Sequence, residues 1–115
     1  MKEKTKLIHI ARGDESLEAR PVNPPLMRAS TILFKDHKSW QKYRELRKTQ
    51  RVLSYGARGT TTNFELERLI CELEGGHRAQ LFPTGLAALA MVLMNYASKD
   101  AHILITDAIY GPVRA

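Results

Sequence analysis

The turn at Pro83-Thr84-Gly85 constrains this chain more than any other segment, because it separates two apolar runs of different character. The run before it, residues 79–82, has the length and apolar content of a short strand. The run after it, residues 86–97, is apolar nearly all round, which predicts a helix covered on most of its sides. A strand that turns sharply into a helix exposes the first N–H groups of that helix, and such groups favour a phosphate.

Two more helices and a second strand are predicted around this turn. A short basic helix begins at Ser39, a favourable N-cap. A capping box of Thr62 and Glu65 begins a longer helix, and Gly75-Gly76 ends it. Residues 102–106 contain a continuous apolar run, as in a central strand buried on both faces. The order β–α–β predicts an α/β protein, although two strands and one covering helix are only the beginning of such a core.

Composition narrows the class of protein. The 115 residues are 43% hydrophobic and 26% charged, which is ordinary for a soluble globular chain. No run approaches the roughly 18–20 apolar residues that cross a bilayer, and no secretory leader follows Met1, so we expect a cytoplasmic chain without membrane contact. Cys71 is the only cysteine, which excludes an internal disulfide, and the four histidines lack the spacing of metal ligands.

Most of the positive charge lies in one segment. Residues 35–51 hold seven Lys or Arg against two acidic residues, so they carry +5 of the net +6. With Trp40 and Tyr43 this pattern suits nucleic acid. A simpler interpretation is that Trp40, Tyr43 and Leu46 share one face of a helix whose lysines are solvated. We therefore expect no nucleic-acid partner.

Three separated motifs together resemble one enzyme family. They are Tyr55-Gly56-Ala57-Arg58-Gly59-Thr60, Phe82-Pro83-Thr84-Gly85-Leu86 and Asp107-Ala108-Ile109-Tyr110-Gly111-Pro112. In this order they resemble the pyridoxal-phosphate-dependent enzymes of cysteine and methionine metabolism, and the resemblance runs from about Arg20 to Ala115. It implies an α/β fold, the incomplete beginning of a fold-type I transferase large domain with a mostly parallel sheet. Residues 1–54 then form an arm and helix with dimer contacts, and residues 55–115 begin the cofactor-binding domain.

The resemblance also implies the residues that bind pyridoxal 5′-phosphate. The backbone N–H groups of Gly85 and Leu86 match those that hold the cofactor phosphate, and Thr84 could add a hydroxyl. Tyr110 matches a tyrosine that stacks on the pyridine ring. Tyr55 matches one that reaches across a dimer interface to the neighbour's phosphate, and Arg58 matches an arginine close to the substrate.

One position departs from the family. Two residues after the tyrosine the family has an arginine that binds the phosphate, and here that residue is Ala57. Either Arg58 turns to the phosphate or the cofactor loses one charged contact. Losing a bond of about 2 kcal/mol weakens binding roughly thirtyfold.

The activity that the resemblance implies is carbon–sulfur cleavage of cystathionine to homocysteine, pyruvate and ammonia, as in the β-lyases of the family. The family's Schiff-base lysine lies well beyond its equivalent of Tyr110, so we assign no catalytic residue and expect this chain to be truncated and inactive alone. The resemblance also implies a homodimer or homotetramer. Two alternatives stay open: a γ-synthase or γ-lyase relative, and a non-enzymatic module that binds phosphate or nucleic acid.

Overall fold

The computed structural model describes residues 3–12 and 18–114, which contain five α-helices and a 3₁₀ turn. The helices are α1 (Glu3–His9), α2 (His37–Leu46), α3 (Thr61–Glu74), α4 (Gly85–Tyr96) and α5 (Gly111–Arg114), and the 3₁₀ turn is Gly56–Arg58. The chain divides into two compact units, Met1–Ala79 and Gln80–Ala115. Three of the helices were predicted from the sequence: α2, α3 and α4.

The two predicted strands do not form within the described ranges. Residues 79–82 and 102–106 adopt neither helix nor paired strand, and Leu104 is 100% exposed. A strand depends on a neighbour that takes up its N–H and C=O groups. Neither segment has such a neighbour among the residues that the structure describes. The strand predictions are therefore wrong for these residues, and an α/β sheet is not visible in them.

The predicted start of α2 is wrong by three residues. Asp36 is the N-cap, and its carboxylate accepts a hydrogen bond from the Ser39 N–H at 2.7 Å. This bond from the Ser39 backbone lowers the pKa of Asp36 below its ordinary value. Ser39 thus supplies a donor to the cap instead of forming it. The helix then places Tyr43 edge-on against Phe34, with 5.4 Å between the ring centroids.

The predicted start of α3 is also displaced, by two residues. Thr60 is the N-cap, and its N–H donates to Asn63 Oδ1 at 2.9 Å. The hydroxyl of Thr62, the predicted cap, instead donates to the Pro25 carbonyl and accepts from the Met27 N–H, both at 2.8 Å. The partners of Thr62 thus lie more than thirty residues earlier in the chain, where the local sequence pattern around α3 cannot indicate them.

The predicted end of α3 is confirmed. Gly75 has the left-handed φ of 63° that favours glycine, and the Gly76 N–H donates to the Cys71 carbonyl at 2.9 Å. The first unit is further held by an ion pair between Arg51 Nε and Glu67 Oε2 at 3.0 Å. The Glu67 side chain is only 8% exposed, so it lies among the most buried groups that the structure describes.

The predicted cover over α4 is absent from the described residues, which contain no fully buried hydrophobic side chain. The exposed large apolar side chains of α4 range in exposure from 40% at Leu89 to 87% at Tyr96. Contiguous apolar surface of this kind marks a face that other protein normally covers. None of the helices in the described ranges is long and apolar enough to cross a membrane.

Candidate functional site

The amino-terminal end of α4 presents two free backbone donors. The Thr84 side chain accepts from the Ala87 N–H at 3.1 Å, and its carbonyl accepts from the Ala88 N–H at 3.1 Å. The Gly85 and Leu86 N–H groups come before these two and have no hydrogen-bond partner in the part of the chain that the structure describes. They also lie at the positive end of the helix dipole, where an anion is stabilised.

Neither the backbone conformation nor the packing of the described residues requires a glycine at position 85. It is not among the glycines of positive φ, and a Cβ built on it meets no heavy atom within 4 Å. The space beside it is therefore open. A side chain at this position would occupy the approach to the free N–H groups, which explains why a residue without one suits a ligand site.

Tyr110 lies beside these donors. Gly85, Leu86 and Tyr110 line one cavity of about 530 Å³, together with Thr84 and Leu89. That volume falls within the range of roughly 300–1,000 Å³ typical of small-molecule sites. Leu89 follows Leu86 by three residues, so both lie on the same face of α4.

The segment around Tyr110 is closed by short-range hydrogen bonds. The Val113 N–H donates to the Tyr110 carbonyl at 2.9 Å at the start of α5. The Arg114 guanidinium donates to the Asp107 carbonyl at 2.9 Å and pairs with the Asp107 carboxylate. These bonds span both sides of Tyr110, a residue that is 63% exposed. An exposed ring on a closed turn is free to stack on a flat ligand.

Tyr55 and Arg58, the other two predicted site residues, lie in the first compact unit. The Arg58 N–H donates to the Tyr55 carbonyl at 2.9 Å, which closes the 3₁₀ turn and keeps the two Cα atoms within about 7 Å. Tyr55 is 46% exposed and Arg58 is exposed. Among residues 3–12 and 18–114, the Arg58 side chain has no hydrogen-bond or ion-pair partner. Both side chains are therefore available to a ligand or a second subunit.

Gly56 allows two segments of the backbone to approach each other closely. Its N–H donates to the Ser30 carbonyl at 2.7 Å, and a Cβ built on it would lie 1.7 Å from the Ala29 carbonyl oxygen. The glycine allows close approach to residues 29–30; its φ is not positive. Gly59, in contrast, has a φ of 96°, in the region that favours glycine, so it allows the chain to turn there. The two glycines together fix the loop that carries Tyr55 and Arg58.

A second cavity, of about 600 Å³, lies against α3 and includes Cys71 in its lining. Two pairs of charged side chains in its lining already interact within the chain: Arg51 pairs with Glu67, and Arg68 pairs with Glu65 at 2.9 Å. We therefore take the α4 cavity, with its free donors, as the candidate site.

Comparison with known proteins places these motifs in a family. The family model for Cys/Met metabolism PLP-dependent enzymes matches residues 4–115. The chain is 37% identical over 110 residues to the cystathionine β-lyase of Haemophilus influenzae, a match covering 96% of the chain and 27% of that relative. It is 40% identical over 96 residues to the cystathionine β-lyase of Bordetella avium, which covers 83% of the chain and 24% of the relative. It is 35% identical over 112 residues to the cystathionine γ-lyase of Bacillus subtilis, a match covering 96% of the chain and 26% of that relative.

The chain thus spans about a quarter of the length of these relatives. The family depends on pyridoxal 5′-phosphate, a flat aromatic ring that carries a phosphate. The α4 cavity fits such a group: it offers two free N–H donors, open space beside Gly85 and an aromatic ring at Tyr110. Loop residues Tyr55 and Arg58 offer a phenol and a cation of the kind that also binds phosphate.

The substitution Gly85→Ala tests whether the open space beside α4 admits a phosphate. The added methyl should leave α4 intact, since alanine is a good helix former, but weaken binding of pyridoxine 5′-phosphate at least tenfold by displacing one charge-assisted hydrogen bond. Equilibrium dialysis measures the affinity, and pyridoxine 5′-phosphate lacks the aldehyde that would react with lysines. Gly76→Ala is the matched control, because a Cβ there also meets nothing within 4 Å. Equal affinities for both variants, with unchanged circular dichroism, would exclude Gly85 from the site.

Proposed function

We propose that this chain, which belongs to the pyridoxal-phosphate-dependent enzymes of cysteine and methionine metabolism, is the amino-terminal, phosphate-binding part of a lyase that cleaves cystathionine. The observation that carries the proposal is the cavity in which Gly85, Leu86 and Tyr110 come together. Relatives named cystathionine β-lyase support the substrate and the direction of cleavage. In this proposal residues 55–115 begin a fold-type I large domain, and residues 1–54 form an arm and helix that contact a second subunit.

In the proposed site, α4 binds the cofactor phosphate. The Gly85 and Leu86 N–H groups donate to two phosphate oxygens, and each such charge-assisted bond is worth about 1.5–3 kcal/mol. Tyr110 lies against one face of the pyridine ring and excludes water from it. Aromatic stacking adds about 0.5–1.5 kcal/mol and aligns the ring.

Tyr55 and Arg58 are proposed to act on the site of a neighbouring subunit in a homodimer or homotetramer. The turn that joins them holds their Cα atoms close together, so both side chains can reach one phosphate. With Ala57 in place of the family's arginine, Arg58 is the cation on this turn that is left to neutralise the phosphate charge. Its guanidinium has no competing partner among the described residues, which leaves it free to do so.

The bound cofactor supplies an electron sink for the charge that develops at the substrate Cα. In β-elimination the Cβ–S bond of cystathionine breaks, the sulfur leaves as homocysteine, and water completes the conversion of the remainder to pyruvate and ammonia. The residues of this chain hold and orient the ring for that step. We assign the proton transfer at Cα to none of its lysines.

A second candidate is chemistry on the other side of the same sulfur, where a γ-lyase breaks the Cγ–S bond of cystathionine and a γ-synthase forms it. The Bacillus subtilis relative, named a cystathionine γ-lyase, favours it. The two candidates share the cofactor and the phosphate contacts, and the two lyases also share cystathionine as substrate, so the α4 cavity is common to both. They differ in the product thiol: β-cleavage releases homocysteine, whereas γ-cleavage releases cysteine.

Product analysis on two joined proteins distinguishes these candidates. In one, residues 1–115 replace the matching part of the Haemophilus influenzae β-lyase, and in the other they replace that of the Bacillus subtilis γ-lyase. Residues from both parts must meet at one site, so we expect the β-lyase version to release homocysteine and pyruvate at least tenfold faster than the γ-lyase version releases cysteine. The reverse order would favour the γ-lyase candidate, and inactivity of both with intact folding would contradict the lyase proposal.

Mixed dimers of the β-lyase version test which subunit Tyr55 serves. One subunit carries Tyr55→Ala and the other lacks the Schiff-base lysine of the joined part. If Tyr55 acts across the interface, one site per mixed dimer keeps its lysine and receives an intact Tyr55. Statistical mixing then restores about a quarter of the full activity. Tyr110→Ala in place of Tyr55→Ala is the control and should restore none, because Tyr110 is proposed to serve its own subunit. No recovery in verified Tyr55→Ala mixtures would place Tyr55 in its own site.

A further inference from the structure

We propose that the Thr84 hydroxyl is a third donor to the cofactor phosphate and also selects which backbone N–H groups the phosphate meets. This inference rests on the proposed phosphate site at α4. Thr84 is the N-cap of that helix and lines the same cavity as Gly85, Leu86 and Tyr110. It therefore adds one side chain to a site that is otherwise built from backbone and an aromatic ring.

The first observation is that the Thr84 hydroxyl accepts a hydrogen bond but donates none within the described residues. A threonine hydroxyl has one hydrogen to donate and two lone pairs to accept with. One lone pair accepts the Ala87 N–H at 3.1 Å. Within the described ranges, the hydroxyl hydrogen has no acceptor. Thr84 is exposed, so this hydrogen is available to a ligand in the cavity.

The second observation concerns the choice of backbone donors. An uncapped helix offers its first three or four N–H groups to an anion. Here the Thr84 side chain takes the third of them, that of Ala87. The Ala88 N–H makes the first intrahelical bond, to the Thr84 carbonyl, as in any α-helix. The phosphate is thereby directed to Gly85 and Leu86, which border the cavity together with Tyr110. Placing the phosphate in this way also places the ring that is attached to it.

The two roles reinforce each other. A hydroxyl that accepts a hydrogen bond becomes a stronger donor, because the bonds polarise one another. The Ala87 N–H therefore strengthens the bond from Thr84 to the phosphate. The Thr84 hydroxyl and the two free N–H groups then give three donors for the three terminal oxygens of a phosphate monoester. The chemistry recognised is that of a phosphorylated pyridine, and the same ring without phosphate should bind weakly.

Three variants of the 115-residue chain separate a donor from a simple helix cap. Thr84→Ser keeps the hydroxyl, Thr84→Val removes it with little change in shape, and Thr84→Gly removes it while keeping a residue tolerated at the N-cap. The ligands are pyridoxine 5′-phosphate and pyridoxine, which differ only in the phosphate. Equilibrium dialysis gives both affinities, and circular dichroism follows the helices.

We expect Thr84→Val and Thr84→Gly to bind pyridoxine 5′-phosphate about tenfold or more weakly than the unchanged chain, and Thr84→Ser to bind it within threefold. Pyridoxine affinity should not change. Full affinity in Thr84→Gly would overturn the donor role. A loss of affinity seen only in Thr84→Val, together with reduced helicity, would also overturn it and would show that Thr84 acts only as a helix cap. If the unchanged chain does not prefer the phosphorylated ligand, the phosphate site itself is wrong, and the inference about Thr84 is overturned with it.

Discussion

The unsatisfied N–H groups at the start of α4 are the constraint on which the candidate site depends. A helix always begins with donors that lack partners within it, and here Thr84 satisfies one of them through its side chain. The two that stay free belong to Gly85 and Leu86, and the open space beside Gly85 gives an anion access to them. Tyr110 borders the same cavity, so the donors and an aromatic face are available to one ligand.

The first unit fixes a different loop by polar contacts. The Gly56 N–H bonds to Ser30, and the Thr60 hydroxyl donates to the Met27 carbonyl at 3.0 Å, so both sides of the Tyr55 turn are tied to an earlier segment. These contacts hold the loop although the described residues lack a fully buried hydrophobic side chain. The exposed apolar face of α4 and the exposed Leu104 are surface of the kind that other protein normally covers.

Local patterns predicted what local interactions determine. The glycine end of α3 and the start of α4 depend on residues within one or two turns, and both were predicted. The N-caps of α2 and α3 were misplaced because Asp36 competes with Ser39 and because Thr62 binds the distant segment at Pro25. The strand predictions failed for the same reason, since strand pairing depends on neighbouring segments that the pattern of one segment does not contain.

The site was predicted in part from physics and in part from resemblance. The turn at Pro83-Thr84-Gly85 indicated an anion site by itself, whereas Tyr110 and Tyr55 gained their roles only from the family motifs. The cap at Thr84 was detectable from the sequence as a threonine just before the first turn of α4. Leu89 was detectable as an apolar residue on the same helix face as Leu86. The contact of Gly56 with Ala29 was not, because it joins residues far apart in the chain.

The most direct measurement is a ¹H–¹⁵N spectrum of the chain during titration with pyridoxine 5′-phosphate, and again with pyridoxine. If the phosphate binds at the start of α4, the amide signals of Gly85 and Leu86 should shift furthest with the phosphorylated ligand. The Ala87 amide, already bonded to Thr84, should shift less, and pyridoxine should leave all three nearly unchanged. Equal shifts with both ligands, or shifts confined to α2 and α3, would contradict a phosphate site at this helix.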